Sequence, residues 1–163
     1  MAADILVVDD EEDIRMLIAD ILHDEGFVCR TAGDSETAFD AIEERRPTLL
    51  ILDIWLEGSE LDGIQILERV HEDHVSMPVI MISGHGNVET AVNAIKIGAY
   101  DFIEKPFEAD RLVLTVTRAV EAARLQRENQ ELRQRTSDMS DVVGVSAAIR
   151  QLRSAVEKVA PTD

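Results

Sequence analysis

The chain has 163 residues, 45% of them hydrophobic, and carries 33 acidic side chains against 16 Lys and Arg, for a formal charge of −17. That apolar content excludes a disordered chain, and that charge argues against a nucleic-acid or anionic-membrane binder, which needs a positive surface. A cation site, or a partner with a basic face, suits it better. Cys29 is the single cysteine, so no internal disulfide is available, a reducing compartment is implied, and the thiol reads as core packing. No basic n-region precedes an apolar segment, and no apolar run nears the ~20 residues of a membrane span; the expectation is a soluble, cytoplasmic protein.

In chain order, the first apolar run is Ile5–Val8 ("ILVV"), which ends at Asp9-Asp10-Glu11. Ile14, Leu17, Ile18, Ile21 and Leu22 follow as a helical stripe, with Gly26 placed as a helix C-cap. The second run is Phe27–Thr31. After it, Asp34 reads as the N-cap of a helix striped by Ala38, Ala41 and Ile42. Pro47 precedes the third run, Leu49–Leu52, which stops at Asp53 and leads into a loop containing Trp55. Leu61, Ile64, Leu67 and Val70 mark a third helix. Pro78 precedes the fourth run, Val79–Ile82, which ends in Ser83. Val88, Ala91, Val92 and Ile95 make a fourth stripe, closed by Gly98. The fifth run, Tyr100–Ile103, leads to Lys105-Pro106.

Five strands alternating with helices predict an α/β fold with a parallel sheet covered on both faces. At about 120 residues the expected strand order is 2-1-3-4-5, the flavodoxin-like doubly wound arrangement. From Glu108 a stretch without Gly or Pro predicts one long helix: Leu112, Val116 and Val120 are core-type, and a polar second half follows. With Leu125 and Leu132 at heptad position d, Asn129 falls at a, a pattern shared by coiled coils and solvated helical linkers. "TSDMSD" (Thr136–Asp141) breaks that helix, and Ile149, Leu152, Val156 and Val159 then form an apolar face that one short helix cannot bury alone.

Ligands of a doubly wound sheet sit beyond the C-terminal strand ends where strand order reverses, here between strands 1 and 3. Asp9, Asp10 and Asp53 would converge there. Crowded carboxylates repel, and a hard divalent cation such as Mg²⁺ compensates them. Ser83 and Lys105, at the ends of strands 4 and 5, add a hydroxyl and a positive charge. This set suits phosphoryl transfer, with Asp53 as the nucleophile. Any one of these residues alone would be ordinary surface; the coincidence of four strand ends carries the reading. His23, His71, His74 and His85 show no transition-metal spacing.

Together "VVDDE", "LLILD", "MISG" and "YDFIEKPF" resemble a response-regulator receiver domain, over about residues 3–123. The remainder is similar to the linker and AAA+ opening of NtrC-family nitrogen-regulation activators. The resemblance implies a receiver at residues 1–123, a helical and possible coiled-coil linker at 124–141, and the start of a truncated AAA+ sigma-54-interaction domain at 142–163. It implies that Asp53 is the phosphoacceptor, served by a sensor histidine kinase. Mg²⁺ would be held by Asp9, Asp10, Asp53 and the backbone carbonyl of Trp55. Lys105, preceding a cis bond to Pro106, would pair with the phosphoryl group. Ser83 and Phe102 would be the switch pair, although Phe102 lacks the hydroxyl of the Tyr often found there. Homodimerisation would use the fourth helix, fifth strand and last helix, near Val88–Ala123, with the linker. DNA and sigma-54 RNA polymerase would be partners of a longer parent protein only, and self-catalysed phosphorylation and dephosphorylation the only enzymatic activity.

One departure is plain. Trp55–Asp62 replaces the family's usual Met-Pro loop, lacks proline and runs about two residues longer. Either it is a harmless insertion or it tunes access to Asp53. Three rival functions fit these residues less well. A haloacid-dehalogenase-type phosphatase needs a second Asp where Trp55 stands. A vestigial dimerisation module would not keep a complete site. An FMN binder would need a phosphate loop, and acids stand there instead.

Overall fold

The computed structural model describes residues 3–74, 76–84 and 88–142, with side chains up to residue 133. Five strands and five helices alternate: β1 (Asp4–Val8), α1 (Glu12–Asp24), β2 (Val28–Ala32), α2 (Ser35–Glu44), β3 (Leu49–Asp53), α3 (Gly63–Asp73), β4 (Val79–Ser83), α4 (Val88–Ile97), β5 (Asp101–Glu104) and α5 (Ala109–Val142). The strands form one parallel sheet in the order β2-β1-β3-β4-β5. The chain divides into two units after Arg124.

Strands β3 and β4 are buried at every residue, and β1 at all but its first. Alternate side chains point to opposite faces, so two cores form. Ile5, Val7, Leu49, Ile51, Ile80 and Ile82 pack with Ile18 and Leu22 of α1 and with Leu112, Val116 and Ala119 of α5. Leu6, Val8, Leu50, Leu52, Val79 and Met81 pack with Ala38 and Ile42 of α2, with Ile66, Leu67 and Val70 of α3, and with Ala94 of α4. The continuous apolar runs are therefore central strands, sandwiched between helices. β2 and β5 are edges and only partly buried.

Local signals account for most element ends. Asp34 caps α2, accepting from the Thr37 N–H at 2.9 Å. Asp62 caps α3 with Gln65 in a reciprocal box, a D-x-x-Q signature present in the sequence but not singled out there. β2 and β5 begin one residue later than expected. The Phe27 N–H bonds back to the Leu22 carbonyl and so closes α1, and Tyr100 precedes the β5 pairing.

The fourth stripe is corrected by the structure. Val88, Val92 and Ile95 are 79%, 46% and 45% exposed, and Ala94 is the residue of α4 that enters the core. Apolar residues nearly surround this helix, so periodicity does not choose the face that meets the sheet. Leu17 of α1 is likewise exposed, beside buried Ile18. Leu125 and Leu132, one heptad apart on α5, are both exposed. The break expected at Thr136–Asp141 is absent: α5 continues through it to Val142, since the stretch contains neither Gly nor Pro. The expected AAA+ opening lies, after Val142, outside the described residues, as does His85. Among the described residues, no helix is long and apolar enough to cross a membrane.

Candidate functional site

The sheet delivers its acids to one edge. Asp9 follows β1 directly and Asp53 is the last residue of β3, and these two strands are neighbours in register, Val8 opposite Leu52. Asp9 is fully buried, Asp53 is 4% exposed and Asp10 is partly buried. One carboxylate oxygen from each of the three lies within 4.8 Å of the others, and among the described residues this is the acid and histidine grouping suited to a metal ion.

Lys105, just past β5, reaches across the same end. Its Nζ donates to Asp9 Oδ2 at 2.9 Å and Asp53 Oδ2 at 3.2 Å, and lies 3.7 Å from Glu11 Oε1. The Lys105–Pro106 peptide bond is cis, as the sequence resemblance implied. The Lys105 N–H donates to the Ser83 carbonyl at 2.9 Å, which ties this turn to the end of β4. Ser83 is fully buried.

The charges are unbalanced. Burial pushes the Asp53 carboxyl up to about 6, and the charge of Asp9 adds to it, against the opposing pull of Lys105 and a hydrogen bond from the Trp55 N–H. Burial disfavours the Lys105 ammonium, but its bond to Asp9 and the charges of Asp53 and Asp9 outweigh this and raise it. One ammonium thus bridges two of the three aspartates. The donor set is hard oxygen, negative in excess and open to solvent on one side, which fits a hard divalent cation.

The crevice is lined by Asp10, Glu11, Asp53, Trp55, Leu56, Glu57, Asp62, Gly84 and Lys105. Trp55, 53% exposed, forms part of the rim. Phe102 is not in this crevice. It is partly buried against the core beside α4, and lines a separate groove with Val88, Ala91 and Leu114. Cys29 is half-buried, and burial followed by the charge of Asp4 raises its thiol to about 11, so it is inert packing.

The sequence reading missed two supports. The Arg15 side chain donates to the Asp9 carbonyl at 2.6 Å, anchoring the backbone that carries the first acid. The Glu57 N–H donates to Asp10 Oδ2 at 3.2 Å. Neither has a motif, because both depend on where a loop or helix returns in space.

The profile of the response regulator receiver domain matches residues 5–117. The chain belongs to this family. It is 57% identical over 163 residues to the nitrogen assimilation regulatory protein NtrX of Azorhizobium caulinodans, covering all of this chain and 36% of that one. The crystal structure of the receiver domain of NtrX from Brucella abortus superposes with a TM-score of 0.71 at 62% identity, over 72% of this chain and 98% of that one. A beryllofluoride-activated NtrC4 receiver domain dimer matches with a TM-score of 0.69 at 41% identity, over 74% of this chain and 98% of that one. The chain spans about a third of the length of the curated relatives it matches. Over residues 5–117 it is a receiver domain, similar to that of NtrX.

Proposed function

We propose that Asp53 accepts a phosphoryl group from the phosphohistidine of a sensor histidine kinase, and that this switches an effector C-terminal to the receiver. The observation that carries the reading is the single ammonium, Lys105, bridging Asp9 and Asp53 at the junction of β1 and β3. Asp53 Oδ attacks phosphorus as the P–N bond breaks, and the imidazole leaves neutral, keeping the proton of its other ring nitrogen. Lys105 stays close enough to move from the carboxylate to a phosphoryl oxygen. Bound Mg²⁺ would neutralise the phosphoryl oxygens during transfer. Asp9, Asp10, Asp53 and the Trp55 backbone carbonyl would hold it. The chain acts as a phosphoacceptor, and any catalysis is its own phosphorylation and dephosphorylation.

Ser83 and Phe102 are proposed as the relay. Ser83 ends the strand beside Asp53, and Phe102, in β5, lines a groove with Val88 and Ala91 of α4. Phosphorylation would rearrange the α4–β5–α5 face and promote homodimer contacts there, continued by Leu125 and Leu132 of the linker helix. A receiver dimer is described for the NtrC4 relative, which supports this part. The setting is proposed to be cytoplasmic. DNA, sigma-54 RNA polymerase and an AAA+ domain would belong to the longer parent protein. The test is binding of beryllofluoride, a phosphoryl mimic. It should bind with Mg²⁺ and not without, and Asp53→Asn should abolish binding; retention in that variant would refute the assignment.

A further inference from the structure

The loop between β3 and α3 is longer than the family's pattern, yet it is held at several points. Leu56 is buried in the core. Gly58, at φ +79, takes the third place of a turn closed by the Ser59 N–H donating to the Leu56 carbonyl at 3.2 Å. Ser59 Oγ accepts from the Ser35 N–H at 2.8 Å and donates to the Leu61 carbonyl at 2.7 Å. Ser35 Oγ accepts from the Leu61 N–H at 3.3 Å. Ser35 is the first residue of α2 and only 3% exposed. Its N–H is one of those a helix leaves without an internal partner, and here a side chain from another loop satisfies it. At the corner of the same turn stands Glu57, whose N–H meets Asp10 Oδ2.

We propose that Ser35 and Ser59 are positioning residues for the cation site: by clamping the β3–α3 loop onto α2, they hold the Glu57 N–H on Asp10 and fix the orientation in which Asp10 joins Asp9 and Asp53. The inference rests on reading those aspartates as a Mg²⁺ site. A ligand whose orientation is already set by an outer hydrogen bond loses less freedom when metal binds, and losing such a partner weakens affinity. The extra loop residues then have a task, which is to span from the phosphoacceptor to α2 and back across Asp10.

The test is Mg²⁺ affinity of the unphosphorylated chain, measured by calorimetry and by emission of Trp55, the only tryptophan. Ser59→Ala should bind Mg²⁺ about ten-fold more weakly than wild type, and Ser59→Thr should restore affinity. Glu57→Pro is the cleaner probe. It removes the N–H, at a turn position that favours proline, and Glu57→Gln controls for the charge lost with it. Glu57→Pro should weaken Mg²⁺ binding relative to Glu57→Gln. Thermal midpoints are read on the same samples. A lowered midpoint in Ser59→Ala with unchanged Mg²⁺ affinity, or equal affinity in the two Glu57 variants, overturns the clamp. A wild-type chain that binds no Mg²⁺, or binds it equally well as Asp10→Asn, overturns the metal reading itself and the clamp with it.

Discussion

Lys105 Nζ stands 3.2 Å from Asp53 Oδ2, although 52 residues separate them in the chain. The pair forms because β5 and β3 end on the same side of the sheet, with β4 between them. Lys105 is the site's internal cation, and its removal should be costly. Lys105→Met keeps the aliphatic stem but leaves Asp9 and Asp53 buried without compensation, a change worth about 3 kcal/mol. The loss should be larger near pH 8 than near pH 5, where Asp53 can protonate, and Mg²⁺ should recover part of it. Urea unfolding at both pH values, with and without Mg²⁺, checks this. A loss independent of pH and metal would show that the ammonium is not what balances the acids.

Asp53 makes a complementary prediction about pH. Its carboxyl is raised from 3.8 to about 6 by burial and then by Asp9. Between those values the folded chain binds the proton more tightly than the unfolded one. The contribution to stability is therefore full below the unfolded value and is lost as pH rises through about 6. Asp53→Asn should match wild type near pH 4 and exceed it near pH 8 by on the order of 2–3 kcal/mol. Denaturant titrations across that range, without divalent cations, are the measurement. A constant difference between the two proteins would contradict the raised carboxyl.

Much of this site was legible because strand ends are marked in the sequence. The "LLIL" run buries on both faces, so the polar residue that stops it, Asp53, must lie at the rim. Asp9, Ser83 and Lys105 follow by the same logic. The helix faces were less legible. α4 carries apolar residues almost all round, and the small Ala94 packs on the sheet while Val88, Val92 and Ile95 face outward. The β3–α3 loop was least legible. Gly63 has to be glycine because any Cβ there would lie 2.1 Å from the Asp53 carbonyl oxygen, a close approach that no local pattern announces. The Ser35–Ser59 contact joins segments 24 residues apart and has no motif.

The outward face of α4 bears on assembly. Chain loaded with beryllofluoride and Mg²⁺ should self-associate in sedimentation velocity, and Ile95→Glu should remain monomeric under the same conditions. Because Ile95 is exposed, the substitution should change unfolding stability by less than about 0.5 kcal/mol. Undiminished association in the variant would move the interface elsewhere.

The central claim is that the phosphoryl group is carried on Asp53. The direct measurement is to phosphorylate the chain with its kinase or a small acyl phosphate in Mg²⁺, reduce the acyl phosphate with borohydride, and map the modified residue by mass spectrometry. The account predicts modification at Asp53, dependent on Mg²⁺ and absent from Asp53→Asn. Modification at Asp9, Asp10 or any other residue, or its persistence in Asp53→Asn, would contradict it.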